Sequence, residues 1–130
     1  MPTRPDRSQA GSAVVEFALV LPLVLVVALS LVQVGLLVRD RLLIEAAARA
    51  GARAAAVEVD VAAVRAAALA AAPTLDPTLT GVEVARQGTQ GDPVTVSVSY
   101  DEVVHVPLIG WLFGASIRLD AGATDRQEFA

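Results

Sequence analysis

The chain has 130 residues, a net charge of −4, no cysteine and a hydrophobic content of 55%. This length leaves room for one small domain beside a membrane segment. The acidic balance excludes a nucleic-acid-binding surface built from clustered basic side chains, and the lack of cysteine excludes disulfides, thiol catalysis and cysteine-ligated zinc.

The chain begins with a polar leader, residues 1–11, that contains arginine and proline but no periodic apolar pattern. We expect this leader to be unstructured. From Phe17 to Val38 there follow 22 residues without a charged side chain. As a helix this stretch would be about 33 Å long, enough to cross a hydrocarbon layer of roughly 30 Å. We therefore predict one helix that spans the cytoplasmic membrane.

Glu16 stands at the entrance to this apolar stretch. A carboxylate in low dielectric costs at least ~2.5 kcal/mol, so it needs a positive partner. A cut between Gly11 and Ser12 would give Ser12 a new α-ammonium group. Glu16 would then lie one helical turn away, and the two charges would neutralise each other within one chain or between neighbouring chains.

The start of the apolar stretch resembles the processing site of type IV prepilins. It has Gly11, then four further residues, then Glu16 and Phe17 ahead of an apolar helix. The stretch from Val15 to Leu23, together with the Ala-Ala-Arg-Ala-Gly-Ala-Arg block of residues 47–53, is similar to the TadE-like pseudopilins of tight-adherence (Flp) pilus systems.

This resemblance implies a minor pilin-like protein that is cut after Gly11 by a prepilin peptidase and that acts in pilus assembly without catalysis. It implies three kinds of partner: other pilin or pseudopilin subunits, pilus-assembly membrane proteins and the lipid bilayer. It also implies a cytoplasmic N-terminus and an exported C-terminal domain. Many relatives carry an acidic residue in the second half of the membrane helix, where this chain has Gln33.

The membrane helix is predicted to continue to Val57, because the sequence after Val38 is rich in alanine and leucine and has Gly51 as its one helix-weakening residue. Helix and extension together form residues 12–57. Ser30 and Gln33 are able to hydrogen-bond either to another helix or to their own backbone. Charged residues recur every four positions on this extension, at Arg41, Glu45, Arg49 and Arg53. This charged stripe is explained equally well by a solvated helix face and by a face that docks on a partner.

Small residues form a second stripe, Ala47, Gly51 and Ala55, on the same extension. Such a ridge lets another helix approach closely, and we expect it to pack against a partner helix. The alternative is that these residues serve only to favour helix.

Residues 58–130 are predicted to form a small exported α+β domain. Asp60 is a suitable N-cap for a second helix, Val61 to Ala71, that ends before Pro73. Apolar residues then alternate with polar ones in three segments near residues 82–84, 94–100 and 117–124. We predict a three-stranded antiparallel sheet whose apolar face packs against the helices.

Residues 103–114 contain two of the few aromatic side chains, Trp111 and Phe113. These side chains either lie at an interface or fill the core of the domain. The interface would be the outer membrane surface or a partner subunit. His105 is the only histidine, and adjacent Asp101 and Glu102 would point to opposite faces of a strand. We therefore expect no catalytic site, no metal and no cofactor. The competing hypothesis is an uncleaved, single-pass membrane-anchored binding module.

Overall fold

The computed structural model describes residues 7–103 and 116–129, with side chains from Gly11 onward. Two helices precede three strands: α1 Arg7–Val57, α2 Val61–Ala70, β1 Thr80–Arg86, β2 Pro93–Val103 and β3 Ser116–Arg126. The fold is the predicted α+β arrangement of one long apolar helix, a short second helix and a three-stranded antiparallel sheet.

Helix α1 runs for 51 residues and includes Pro22. Its end at Val57 agrees with the prediction, but its start does not. The helix begins at Arg7, so residues 7–11 of the leader are helical rather than unstructured. Starting a helix is costly, but extending an existing helix adds one hydrogen bond for each residue that is fixed. No proline lies between Pro5 and Pro22, so nothing stops the helix from extending into the leader.

Helix α2 begins and ends close to its predicted bounds. The Asp60 side chain accepts a hydrogen bond from the backbone N–H of Ala62 at 2.9 Å, which confirms Asp60 as the N-cap. Ala71 is the C-cap. The following loop turns at Asp76, whose carboxylate accepts hydrogen bonds from the backbone N–H and the hydroxyl of Thr78 at 2.8 and 2.7 Å.

The sheet has the order β1-β2-β3, and both pairings are antiparallel. The turn between β1 and β2 contains Gly88 and Gly91 at φ values of 71° and 90°, a left-handed conformation that favours glycine. Asp92 closes the turn by accepting a hydrogen bond from the Thr89 backbone at 2.7 Å. The apolar residues of β2 are buried as the alternation predicted: Val94, Val96, Val98 and Tyr100.

The core lies between the inner face of the sheet, the second half of α1, and α2. Helix α1 contributes Ile44, Ala47, Ala48, Ala52 and Ala55, and α2 contributes Val64 and Ala68. Because alanine and glycine dominate the helix surfaces, the sheet approaches α1 closely. The globular unit therefore includes the helix from about Asp40 onward as well as residues 58–103 and 116–129.

Candidate functional site

The predicted processing site lies near the N-terminal end of α1. Gly11 and Ser12 are both exposed. A Cβ atom added to Gly11 would meet no atom within 4 Å, apart from the helix's own backbone. Helix α1 passes through the Gly11–Ser12 bond without a break, so a protease would have to unwind this turn. Glycine lowers helix stability by about 1 kcal/mol relative to alanine, which favours such unwinding at residue 11.

Glu16 and Phe17 follow one turn later and are exposed, Phe17 to 65%. No ion pair to Glu16 is found among the residues whose side chains the structure describes. Ser12 and Glu16 are four positions apart on a continuous helix, about 6 Å along its axis. An α-ammonium group created at Ser12 would therefore lie within reach of the Glu16 carboxylate.

The first half of α1 is apolar and, apart from Gln33, largely exposed. An 18-residue window has a mean hydropathy of 2.7, and none of it is buried, which makes α1 a candidate membrane span. The exposed side chains are mostly valine and leucine, as Leu19 at 75% and Leu31 at 69% illustrate. Such a surface suits the hydrocarbon layer of a bilayer.

Ser30 and Gln33, the two polar residues of the uncharged stretch, have different surroundings. The Ser30 hydroxyl donates to the Val26 carbonyl at 2.7 Å, so its hydrogen bond is made to its own helix. Gln33 is only 5% exposed, although Val32 and Val34 on either side are more than half exposed. No hydrogen-bond partner of the Gln33 Nε2 is found within the described part of the chain.

The ridge of small residues is covered by other elements of the same chain. Ala47 is 1% exposed and Ala55 is fully buried. A Cβ added at Gly51 would come within 2.9 Å of Val96 Cγ1 and 3.3 Å of Ala68 Cβ. The ridge does allow a close approach, but its neighbours are β2 and α2. A helix does pack at the ridge, as the spacing indicated, and it is α2 of the same chain.

The charged stripe on α1 forms the expected ion pairs. Glu45 lies 3.0 Å from Arg41 and 3.8 Å from Arg49, one turn away on either side. Arg41 has a second role that the sequence pattern did not reveal, since it also donates to the backbone carbonyl of Asp120 on β3. The stripe thus helps to hold the sheet against the helix.

Arg86 anchors the C-terminal end of α1. Its guanidinium donates to the carbonyl of Ala55, in the last turn of α1, at 2.7 Å and to the carbonyl of Glu58, just after the helix, at 2.6 Å. The guanidinium also lies 5.3 Å from the centre of the Phe129 ring. Sequence reasoning missed this residue, because its partners are backbone groups far away in the chain.

Two buried carboxylates and a tyrosine lie at the opposite end of the sheet. Asp40, Glu102 and Tyr100 are 6%, 7% and 8% exposed. Burial raises the pKa of the Tyr100 hydroxyl, and the carboxylates of Glu102 and Asp40 raise it further. Asp101 is exposed and Glu102 is buried, so the two side chains point to opposite faces as predicted.

Trp111, Phe113 and His105 lie outside the described residues. Within residues 7–103 and 116–129, no group of three or more histidine, cysteine, aspartate or glutamate side chains is placed to hold a metal ion.

The comparison with known protein families bears on the first half of the chain. Residues 11–53 match the family model described as TadE-like protein. The match begins at the predicted processing site and ends within the small-residue ridge, so it confirms the similarity to TadE-like proteins that the sequence suggested. No curated protein and no solved structure matches the chain. The similarity to the TadE-like family suggests a pilus-associated protein, and α1 is its candidate membrane span.

Proposed function

We propose that the protein is a pseudopilin, a minor pilin-like membrane protein that acts without catalysis in assembly of a tight-adherence Flp-type pilus. The observation that carries this proposal is the TadE-like match over residues 11–53, which joins the Gly11–Ser12 bond, Glu16 and the apolar half of α1 in one segment. A prepilin peptidase cuts after Gly11, with the N-terminus in the cytoplasm and the sheet on the exported side.

The mechanism is a charge balance created by cleavage. Before the cut, Glu16 brings a carboxylate to the edge of a bilayer at a cost of at least ~2.5 kcal/mol. After the cut, the Ser12 α-ammonium neutralises it, either one turn away on the same helix or on the helix of a neighbouring pilin or pseudopilin subunit. Neutralisation by a neighbour would link subunit assembly to processing.

The direct test is the N-terminus of the mature protein. The intact mass of the full chain, extracted from the membrane of cells that build the pilus, should correspond to a chain that starts at Ser12. The matched control is Gly11→Val, which adds a β-branched side chain at an exposed position. This variant should insert in the membrane but keep its leader.

A wild-type mass that includes residues 1–11, from cells with normal pili, would overturn the proposal. That result would favour the competing hypothesis of an uncleaved membrane-anchored binding module. The continuity of α1 from Arg7 through Ser12 is the observation that agrees with this alternative.

A further inference from the structure

The connection between α1 and α2 exposes a small apolar surface. Val57, Val59 and Val61 are 63%, 63% and 53% exposed. Exposed apolar residues that stand singly are normal, whereas contiguous ones mark interaction surfaces. Residues 57–61, here called the valine tip, lie at the end of α1 that is opposite to its apolar half.

The valine tip is also acidic. Glu58 and Asp60 alternate with the valines, and both are exposed. Their carboxylates are held in place by the backbone, since Glu58 accepts a hydrogen bond from the Asp60 N–H at 3.1 Å and Asp60 caps α2. No ion pair to either carboxylate is found among the side chains that the structure describes. The tip therefore presents two negative charges between apolar side chains.

Helix α1 exposes a surface of the opposite sign, formed by Leu42, Arg49 and Arg53 and here called the basic face. These residues are two turns and one turn apart, so they lie on one side of the helix. Leu42 is 59% exposed, and the Arg49 side chain is 60% exposed. Glu45 is shared between Arg49 and Arg41, while no ion pair to Arg53 is found in the described part of the chain. The face thus combines an aliphatic side chain with a net positive charge.

We propose that the valine tip of one copy of this chain docks on the basic face of a second copy. The two surfaces match, because both expose aliphatic side chains and their charges are opposite. Like charges disfavour a contact of tip with tip or of face with face. A contact between two different surfaces leaves one free tip and one free face in every dimer. Further copies are then able to add in the same way.

The contact sets two parallel copies at different heights. Val59, at the middle of the tip, is about eleven residues from the middle of the basic face, which is about 17 Å along a helix. One copy therefore stands further out of the bilayer than the other. Its Glu16 enters the hydrocarbon layer, where the carboxylate needs a positive partner. The inference rests on the proposed function, in which cleavage supplies that partner, and it names a second copy as the neighbouring subunit.

The absence of cysteine from the chain provides a specific test. Leu42→Cys is placed in one tagged copy of the full chain, and Val59→Cys in a copy whose tag has a different size. Both are expressed in cells that build the pilus, and the membranes are oxidised with copper phenanthroline. Each copy has one cysteine, so a disulfide dimer that carries both tags reports the contact between tip and basic face.

The control pair is Val59→Cys with Ser97→Cys, because Ser97 is exposed on the face of the sheet that points away from α1. The Leu42–Val59 pair should give about fivefold more two-tag dimer than this control, as expected for a weak but specific contact.

A charge exchange tests the electrostatic match. Glu58→Arg in the copy with Val59→Cys should lower the yield of two-tag dimer about fivefold, because it places like charges opposite each other. Arg53→Glu in the copy with Leu42→Cys should restore the yield when the two changes are combined. This recovery would also show that the Glu58→Arg copy is folded.

A yield no higher than that of the control pair would overturn the inference, as would a yield that the charge exchange does not alter. A disulfide between Val59→Cys and a different protein, in place of the two-tag dimer, would also overturn it. The intact mass of the same samples tests the proposed function separately. A chain that starts at Ser12 and does not cross-link contradicts only the contact between copies. A chain that cross-links but keeps residues 1–11 contradicts cleavage and leaves the contact supported.

Discussion

At Gly51, α1 packs closely against β2 and α2. A glycine in a helix costs about 1 kcal/mol relative to alanine, so its presence needs a packing reason. The space for a Cβ is occupied by the side chains of Val96 and Ala68. Val96 is fully buried and, being β-branched, has little freedom to move away.

Gly51→Ala should therefore destabilise the protein in spite of the gain in helix propensity. Overpacking costs about 1–3 kcal/mol, and the propensity gain offsets about 1 kcal/mol of it, so we expect a net loss of up to ~2 kcal/mol. Denaturant unfolding of the full chain in detergent measures this loss. Gly35→Ala is the matched control, because an added Cβ there meets nothing within 4 Å. Equal stability of the two variants would contradict the packing argument.

Tyr100 has a pKa above its ordinary value of 10.0, because burial and then the carboxylates of Glu102 and Asp40 disfavour the phenolate. The folded state therefore favours the neutral form of Tyr100. This preference contributes fully to the stability of the folded protein at a pH below the pKa of Tyr100 in the unfolded chain. It is lost as the pH rises through the folded pKa.

The tyrosinate absorbance of the folded protein should consequently rise at a higher pH than that of the denatured chain. The measurement is clean, because the sequence has one tyrosine, no cysteine and no lysine, so no other side chain titrates between about pH 9 and 12. Asp40→Asn should move the folded midpoint back towards 10.0. A folded midpoint at or below that of the denatured chain would show that Tyr100 is not held in this environment.

At the scale of elements, the end of α1 depends on a residue of β1. The last carbonyls of a helix lack intrahelical partners, and the Arg86 guanidinium donates to one of them, that of Ala55, and to the carbonyl of Glu58 just after the helix. The backbone N–H of Glu128 adds a third contact, to the carbonyl of Ala56 at 2.8 Å. A helix end, an edge strand and the C-terminal tail are thereby joined at one point.

Arg86→Ala should lower the free energy of unfolding by about 1–3 kcal/mol, the usual range for hydrogen bonds that involve a charged group. Arg86→Lys should recover only part of this loss, because lysine retains the charge but not the two-pronged geometry. Thermal unfolding measured by circular dichroism would report the change. Arg53→Ala is the control, since Arg53 is an exposed arginine near the same end of α1. A loss no larger than that of Arg53→Ala would contradict the anchoring role.

At the scale of the whole molecule, the two halves of α1 have different surroundings. The first half exposes valine and leucine, a surface that suits the hydrocarbon layer of a bilayer, whereas the second half is one wall of the globular core. Glu16 lies at the far end of the exposed half, away from the globular unit. Its substitution should therefore affect assembly without affecting the fold.

Glu16→Ala should insert in the membrane with unchanged thermal stability, yet reduce incorporation into the pilus machinery about tenfold or more, since ~1.4 kcal/mol of lost stabilisation changes an equilibrium tenfold. Counting pili on cells that carry the variant measures the effect. Glu83→Ala, which removes an exposed carboxylate from β1, is the matched control and should leave piliation normal. Normal piliation with Glu16→Ala would argue strongly against the charge-balance mechanism.

The sequence by itself determined the elements and the chemistry of the N-terminal half. An uncharged run of 22 residues, the alternation in β2 and the Asp60 cap are local patterns, and local hydrogen bonding and side-chain periodicity are sufficient to predict the structures they form. The motif around Gly11 and Glu16 is likewise contained in a short segment, which is why the amino-acid sequence alone reveals its similarity to the TadE-like family.

Only the tertiary structure decided what each surface contacts. The spacing of Ala47, Gly51 and Ala55 indicates close approach but not the identity of the neighbour, and the sheet and α2 occupy that ridge. Arg41 and Arg86 have the sequence pattern of ordinary surface charges, and the fold brings distant backbone carbonyls to them. These contacts depend on how far the antiparallel sheet extends along α1. That register is set by the packing of the whole core, and no short stretch of sequence specifies it.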